Sequence, residues 1–121
     1  MGVLIPREIE DLGQKYDIEM SAGEFLAHNG HLIPFLEEMA PVLASYFPSC
    51  PLRLHLERDP ESGYENTLWA HAMWSDGENW RVASDILDRF RREWFFAHSH
   101  RARGRLAVDF DFLTSSESEV A

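Results

Sequence analysis

The sequence predicts an α+β domain in which helices pack on one face of a small three-stranded, mostly antiparallel sheet, in the order α-α-α-β-β-α-β. Three observations lead to this class. Apolar residues recur at helical spacing up to residue 47, but at every second position from residue 52. A loop-forming segment, residues 58–65, separates two alternating stretches. A long helical stripe then precedes a third alternating stretch near the end of the sequence.

Three helices are predicted in the N-terminal part. The first spans residues 6–16, with Pro6 at the first helical position and an apolar stripe behind it. The second begins at "SAGE", residues 21–24, whose serine and glutamate have the spacing of a capping box. The third covers 33–46, and Pro41 within it predicts a kink or a restart. Its predicted inward-facing residues are Ile33, Leu36, Met39, Ala40, Leu43 and Phe47.

Three segments alternate between apolar and polar residues and are predicted to be strands. They are "LRLHLE" at 52–57, "TLWAHAMW" at 67–74 and "RLAVDFDFL" at 105–113. We expect the first of them to lie in the middle of the sheet, so that the third runs antiparallel to it. The alternative places the third strand beside the second in a parallel pair.

A fourth helix is predicted between the second and third strands. It begins at a second capping box, "SDGE" at residues 75–78. Its solvent side carries two acid-before-base pairs at i and i+4, which gives several of its arginines a structural explanation. Its inward-facing stripe is Trp80, Ala83, Leu87, Phe90 and Trp94.

Composition indicates one domain over residues 1–113, followed by an acidic, serine-rich tail at 114–121 that we expect to be disordered. Apolar residues make up 45% of the chain, which suffices for a core. A lone cysteine, Cys50, cannot form an intramolecular disulfide and favours a reducing compartment. No signal peptide and no apolar run of about 20 residues is recognisable, so we expect a cytoplasmic protein that does not enter a membrane.

The net charge of −10 is unevenly distributed along the chain. Residues 81–105 hold seven arginines and three acidic residues, whereas the segments on either side are acidic. An acidic chain repels the phosphate backbone, which makes nucleic-acid binding unlikely. The basic segment is compatible with a small anion or with an acidic surface of a partner.

The stretch "FFAHSHRARG", residues 95–104, is the strongest candidate for a chemical site. His98, His100, Arg101 and Arg103 are candidates for binding an anion or a metal ion. Two histidines are not a complete metal site, however, and no third ligand is evident in the sequence. The simpler interpretation is a polar loop whose side chains solvate the C-terminal end of a helix. We therefore predict no metal and no cofactor.

Other catalytic patterns have equally simple explanations. Asp109 and Asp111 share one face of the last strand, where a solvated surface paired with neighbouring Arg or His side chains accounts for them. Cys50 lies between two prolines and is interpreted as a semi-buried structural thiol. No nucleophile elbow, phosphate-binding loop, dinucleotide fingerprint or zinc-protease motif occurs. The chain is therefore more consistent with a non-enzyme.

The sequence contains more large apolar side chains than the predicted core can bury. Phe95 and Phe96 cannot both share the inward face with Trp94, and Trp69 and Met73 lie on the second face of their strand. We predict that a homodimer or a protein partner buries one or more of these side chains. The alternative is that the N-terminal helix crosses to the second face of the sheet and covers it.

Residues 52–113 resemble a group of small bacterial proteins of no established activity. The similarity lies in "DPESGYENTLW" and in "RFRREWFFAHSHRARGRLAVDFDF", which match a DPE hairpin loop, an aromatic-rich helix end and a closing strand that begins Arg-Gly-x-Leu. Arg103, Gly104, Leu106 and Asp109 fall on the closing motif. In the helix end "RFRREWFF", this sequence has arginines where the group has acidic residues before the aromatic residues. The resemblance implies, by analogy, a member of a two-gene cassette.

The residues together favour a non-enzymatic protein-interaction or regulatory module, with an antitoxin-like partner of a neighbouring gene product as one form. The alternative function is a small anion-binding or metal-assisted enzyme that uses His98, His100, Arg101 and Arg103. Candidate binding residues are Trp69, Met73, Phe95, Phe96, His98, His100, Arg101 and Arg103.

Overall fold

The computed structural model of this chain describes residues 7–57, 67–102 and 104–113. The predicted loop at 58–65, the predicted tail at 114–121 and Arg103 lie outside the described residues. Within them the chain forms an α+β fold, as the sequence predicts. No helix in the described ranges is long and apolar enough to cross a membrane.

Three helices precede the main strands: α1 (Arg7–Leu12), α2 (Met20–His28) and α3 (Leu32–Tyr46). The predicted capping box at the start of α2 does not form, because Ser21 already lies inside the helix and Glu19 is the N-cap residue. The reason is the short strand β1 (Asp17–Ile18), which directly precedes α2. The backbone N–H of Glu19 still donates to Leu54 in the sheet, so the helix begins where the strand ends.

Helix α3 forms the centre of the core. It continues through Pro41 as one helix, so of the predicted kink or restart the chain does not restart here. Pro41 is exposed, which places the bulk of its ring toward solvent. The six predicted inward-facing residues are all buried, which confirms the helical periodicity read from the sequence: Ile33, Leu36, Met39, Ala40, Leu43 and Phe47.

The sheet has four strands in the order β1-β2-β3-β4, with β2 at Leu52–Glu57, β3 at Thr67–Trp74 and β4 at Leu106–Phe112. β2 and β3 are antiparallel, whereas β1 is parallel to β2 and β4 is parallel to β3. The predicted number of strands and their mostly antiparallel pairing are therefore wrong. Of the three predicted strands, β3 rather than β2 lies between the other two, and the parallel alternative for the last strand is correct. Because β1 occupies the outer edge of β2, only the free edge of β3 is open to β4.

One face of the sheet and the helices form a single core. The apolar residues of β2, together with Leu68, Ala70 and Ala72 of β3, are buried against residues of α1, α2, α3 and α4. Leu106 and Val108 extend this face onto β4. We call the opposite side of the sheet the open face. Its residues from the described strands include Arg53, His55, Trp69, His71, Met73, Asp109 and Asp111.

The helix after β3 departs from the predicted periodicity at both ends. A 3-10 turn (Gly77–Asn79) comes before α4 (Trp80–Phe90), and Asp76 rather than Ser75 caps it by accepting a hydrogen bond from the N–H of Glu78. Trp80 is 46% exposed, so its predicted place in the core is wrong. It is the first residue of α4, and the buried face of that helix begins at Ala83, followed by Leu87 and Phe90.

After α4 the chain makes a π-helical turn (Arg91–Phe95), one α-helical turn (Phe96–His98) and a 3-10 turn (Ser99–Ala102). A π turn inserts one extra residue into the helical repeat. The residue that follows Phe90 on the buried face is consequently Phe95, five positions on, while Trp94 is only partly buried. The prediction that Trp94 continues the core stripe thus holds only in part.

Candidate functional site

The histidines and arginines near the end of the π-helical segment are largely engaged in packing. The His98 ring stacks on Trp94 with 4.4 Å between ring centroids, and its Nδ1 lies 2.7 Å from the Trp94 carbonyl oxygen. The guanidinium of Arg101 lies 5.1 Å from the centre of the Phe35 ring and forms a 2.7 Å ion pair with Glu38. These contacts attach the segment to α3.

The remaining residues of that predicted site lie apart from this packing. His100 is exposed to solvent. Arg103, the fourth predicted residue, lies outside the described part of the chain. Arg105, which the sequence analysis did not single out, donates from Nη1 to the Asn29 side-chain oxygen at 3.1 Å. In the described ranges, no group of three or more His, Cys, Asp or Glu side chains is placed to hold a metal ion.

The two phenylalanines at the π turn have opposite environments. Phe95 is buried and contacts the rings of Phe35 and Phe90. Phe96 is 62% exposed. Beside Phe96 lies a hollow of about 440 Å³ whose other lining residues are Asp88, Arg91 and Arg92. Of this pair, the structure therefore presents only Phe96 as an accessible apolar group.

Trp69 and Met73 lie on the open face as predicted, but they are not equally accessible. Met73 is only 2% exposed within the single chain, so the premise that a dimer is needed to bury it is wrong. Trp69 is half-buried, and its Nε1 is shielded from solvent without a hydrogen-bond partner among the described groups. Helix α1 does not cover this face, because Ile9 and Leu12 belong to the core on the other side.

Two histidines stand side by side on the open face. The rings of His55 and His71 are stacked with 6.2 Å between centroids, and His55 Nδ1 lies 2.6 Å from a Glu19 carboxylate oxygen. Asp109 pairs directly with His71 across β3 and β4. The sequence suggested such a partner for Asp109, but it did not identify which strand would supply it.

The electrostatics of this pair favour neutral His71 at physiological pH. Burial lowers the pKa of His71 below its usual value of 6.5, although the nearby carboxylates of Asp111 and Asp109 act in the opposite direction. His55 and Arg53 lower it further. The open face therefore contains a histidine whose charged form is disfavoured by its surroundings.

Cys50 is half-buried, in agreement with its interpretation as a structural thiol. Burial raises the pKa of its thiol above the usual value, which disfavours the reactive thiolate.

A groove between α1, β1 and α2 is a surface feature that the sequence did not predict. It has a volume of about 790 Å³. Tyr16 forms part of its wall, and its buried hydroxyl donates to the Leu36 carbonyl oxygen at 2.9 Å. Met20, the first residue of α2, is 83% exposed. The apolar residues and glycines that line the groove include Ile9, Gly13, Tyr16, Ile18, Met20 and Gly23.

Carboxylates also line this groove: Glu10, Asp17, Glu19 and Glu24. Asp17 lies 3.5 Å from the Arg53 guanidinium, and Glu19 contacts His55. In the described part of the chain, neither Glu10 nor Glu24 forms an ion pair, and both are exposed. The groove thus combines an apolar lining with acidic side chains at its rim.

No periodic pattern in the sequence marks the groove. Its middle wall is β1, a strand of two residues that is too short to produce an alternating signal. Gly23 leaves space open, because an added Cβ there would find the nearest atom, Ile18 Cγ2, at 3.8 Å. The sequence feature at this place is Met20 in "DIEMS", an apolar residue directly before the predicted capping box and therefore outside the predicted helix.

Comparisons of this chain with protein-family models, with curated proteins and with solved structures find no match.

Proposed function

We propose that this chain is a non-enzymatic protein-interaction module and that a partner protein binds in the groove between α1 and α2. The observation that carries the proposal is the combination of an open apolar cavity with two carboxylates beside it, Glu10 and Glu24, that form no ion pair within the described ranges. A volume of about 790 Å³ is in the range of sites that enclose a ligand or a few large side chains. Exposed Met20 at this place suits an adaptable protein contact, because methionine adjusts its shape to its partner.

The lining defines the chemistry of the partner. An apolar side chain would fill the cavity, and basic side chains next to it would lie near Glu10 and Glu24. The proposed function is therefore recognition of an amphipathic, basic segment. A regulator that covers a basic surface of another protein is one form of this role, and so is an antitoxin-like partner of a neighbouring gene product. The proposal includes a cytoplasmic location.

The alternative function, an anion-binding or metal-assisted enzyme built on His98, His100, Arg101 and Arg103, receives less support. Stacking on Trp94 already engages His98, and Arg101 already pairs with Glu38. An anion would have to compete with these contacts for both side chains.

A titration with a synthetic peptide tests the proposed function. The probe is an amphipathic helical peptide with Phe and Leu on one face and Lys on the other, followed by fluorescence anisotropy. We expect saturable binding to the wild-type protein. Gly23→Leu fills the groove, and since Gly23 lies within α2, the substitution also improves helix propensity and keeps the fold. It should weaken binding by about tenfold or more.

Two controls define the result. Glu8→Lys changes an exposed charge on α1 outside the groove lining and should leave the affinity within about twofold, whereas Glu24→Lys should reduce it. A matched peptide with Glu in place of Lys should bind weakly. Equal affinity of the wild-type and Gly23→Leu proteins for the basic peptide would contradict the proposal.

A further inference from the structure

Two exposed apolar side chains each stand beside a depression in the surface. Met20 is 83% exposed at the groove between α1 and α2. Phe96 is 62% exposed at the hollow that Asp88, Arg91 and Arg92 line. They are the two most exposed large apolar residues among those described. In a contact between two molecules, Phe96 could therefore fill the groove between α1 and α2, and Met20 could fill the hollow beside Phe96.

The charges around the two features are opposite. Glu10 and Glu24 stand at the groove, whereas Phe96 lies within the basic segment 81–105. Near Phe96, Arg91 is directed at β4, where its Nη2 donates to the Val108 carbonyl oxygen. Arg92 is exposed and contacts only the Asp88 carbonyl of its own helix, at 3.3 Å, among the described groups. Its positive charge is available to a carboxylate of another molecule.

The π turn fixes the position of Phe96. Because Phe95 takes the buried position after Phe90, the next residue is directed away from the core. The N–H of Phe96 donates to the carbonyl of Arg91, which anchors its backbone to the π turn. An aromatic anchor that is held outward before binding loses little conformational entropy when it is buried.

We propose that a second copy of this chain occupies the groove. Phe96 of one protomer inserts between α1 and α2 of the partner subunit, Arg92 lies near Glu24 of the partner subunit, and Met20 of the partner subunit packs against the inserted ring. Methionine–aromatic contacts of this kind are favourable. The inference rests on the proposed function, because it uses the same groove as the docking site and names its occupant.

Each protomer offers both halves of this contact. A two-fold arrangement that uses both halves at once gives a closed dimer, whereas any other arrangement leaves one groove and one Phe96 free at the ends of a chain. The mass distribution in solution distinguishes these forms.

Sedimentation equilibrium over a protein concentration series tests the self-association. We expect the wild-type protein to shift from a 14.0 kDa monomer to larger species as concentration rises. Phe96→Ser and Gly23→Leu should each raise the dissociation constant by about tenfold or more. Phe112→Ser removes an aromatic ring that is 42% exposed and lies outside both surfaces, and it should leave the constant unchanged.

A charge exchange tests which surfaces meet. Arg92→Glu alone and Glu24→Arg alone should both weaken self-association, because each places like charges together. In an equimolar mixture, every contact between the two variants again joins opposite charges, so association should recover. Weakening by each variant without recovery in the mixture would overturn the assignment of Arg92 to the side of Glu24.

Other outcomes separate the two proposals. A wild-type protein that stays monomeric at all concentrations but binds the basic peptide in a Gly23-dependent manner overturns only the self-association. Self-association that Trp69→Glu abolishes and Phe96→Ser leaves intact would assign the interface to the open face instead. Failure of Gly23→Leu to affect either peptide binding or self-association would overturn the proposed function as well.

Discussion

At the scale of single residues, the pKa of His71 depends on the groups that surround it. It is half-buried on the open face, directly across from Asp109, with His55 stacked against it and Arg53 in register on β2. Burial lowers its pKa in the folded state relative to about 6.5 in the unfolded chain. The unfolded chain therefore takes up a proton at a higher pH than the folded protein does.

This difference predicts a loss of stability in acid. Below about pH 6.5 the unfolded state binds more protons at this position, so the free energy of unfolding falls as pH decreases toward the folded-state pKa of His71. We expect His71→Gln to lose less stability than the wild-type protein between pH 7 and pH 5. Urea unfolding at several pH values, followed by circular dichroism, measures this difference.

The matched control is His28→Gln. His28 is exposed at the end of α2, and among the described groups its Nδ1 contacts the Glu24 carbonyl oxygen of its own helix. This variant should retain the pH dependence of the wild-type protein. If His71→Gln and the wild-type protein differ by the same free energy at every pH, the titration of His71 has no role in acid stability.

At the scale of elements, α3 contains a proline, Pro41, in its interior, where proline is normally unfavourable. A proline in the interior of a helix cannot donate a backbone hydrogen bond and crowds the carbonyl of the preceding turn. Packing of the buried face of α3 nevertheless holds the helix together through this position. We expect Pro41→Ala to raise the free energy of unfolding by about 1–2 kcal/mol, after allowance for the greater freedom that alanine has in the unfolded chain.

Pro34 supplies the comparison within the same helix. It lies in the first turn, where the backbone N–H has no helical acceptor in any case, and it is also exposed. Pro34→Ala should therefore bring little or no stabilisation. Equal gains for the two substitutions in chemical denaturation would show that the position of Pro41 in the helix has no special cost.

Among the individual elements, the buried residues are predicted best where one hydrophobic pattern runs without interruption. The inward-facing residues of α3 and the alternation of β2 follow directly from hydrophobic spacing. The π turn is not predictable from that spacing, because a single inserted residue only exchanges Trp94 for Phe95 at the buried position. Short β1 is equally invisible, although it moves the start of α2 and forms one wall of the groove.

At the scale of the whole molecule, the class of the fold follows from the order of the periodicities, but the arrangement of the strands does not. Alternation assigns each residue of β4 to a face, whichever strand it pairs with. The choice between the edges of β2 and β3 depends on β1, which no pattern revealed. The candidate site could not be predicted for the same reason, since β1 forms one wall of the groove between α1 and α2.

The parallel pairing of β3 with β4 also has a kinetic consequence. β2 and β3 are close in sequence, whereas β4 can join β3 only after the whole of α4 and the π turn have been brought across the sheet. Closing that longer segment is the slower step. In pulse-labelled hydrogen exchange during refolding, we expect the amides of Arg53 and His55, which face β3 from β2, to become protected before those of Asp109 and Asp111, which face β3 from β4. Simultaneous protection would contradict this order.

Until β4 arrives, the edge of β3 is an unpaired strand that carries Trp69 and the segment around Met73. Unpaired edges with large apolar side chains are where partly folded chains join one another by mistake. The last strand to join the sheet therefore also ends the interval in which the chain is most prone to aggregate.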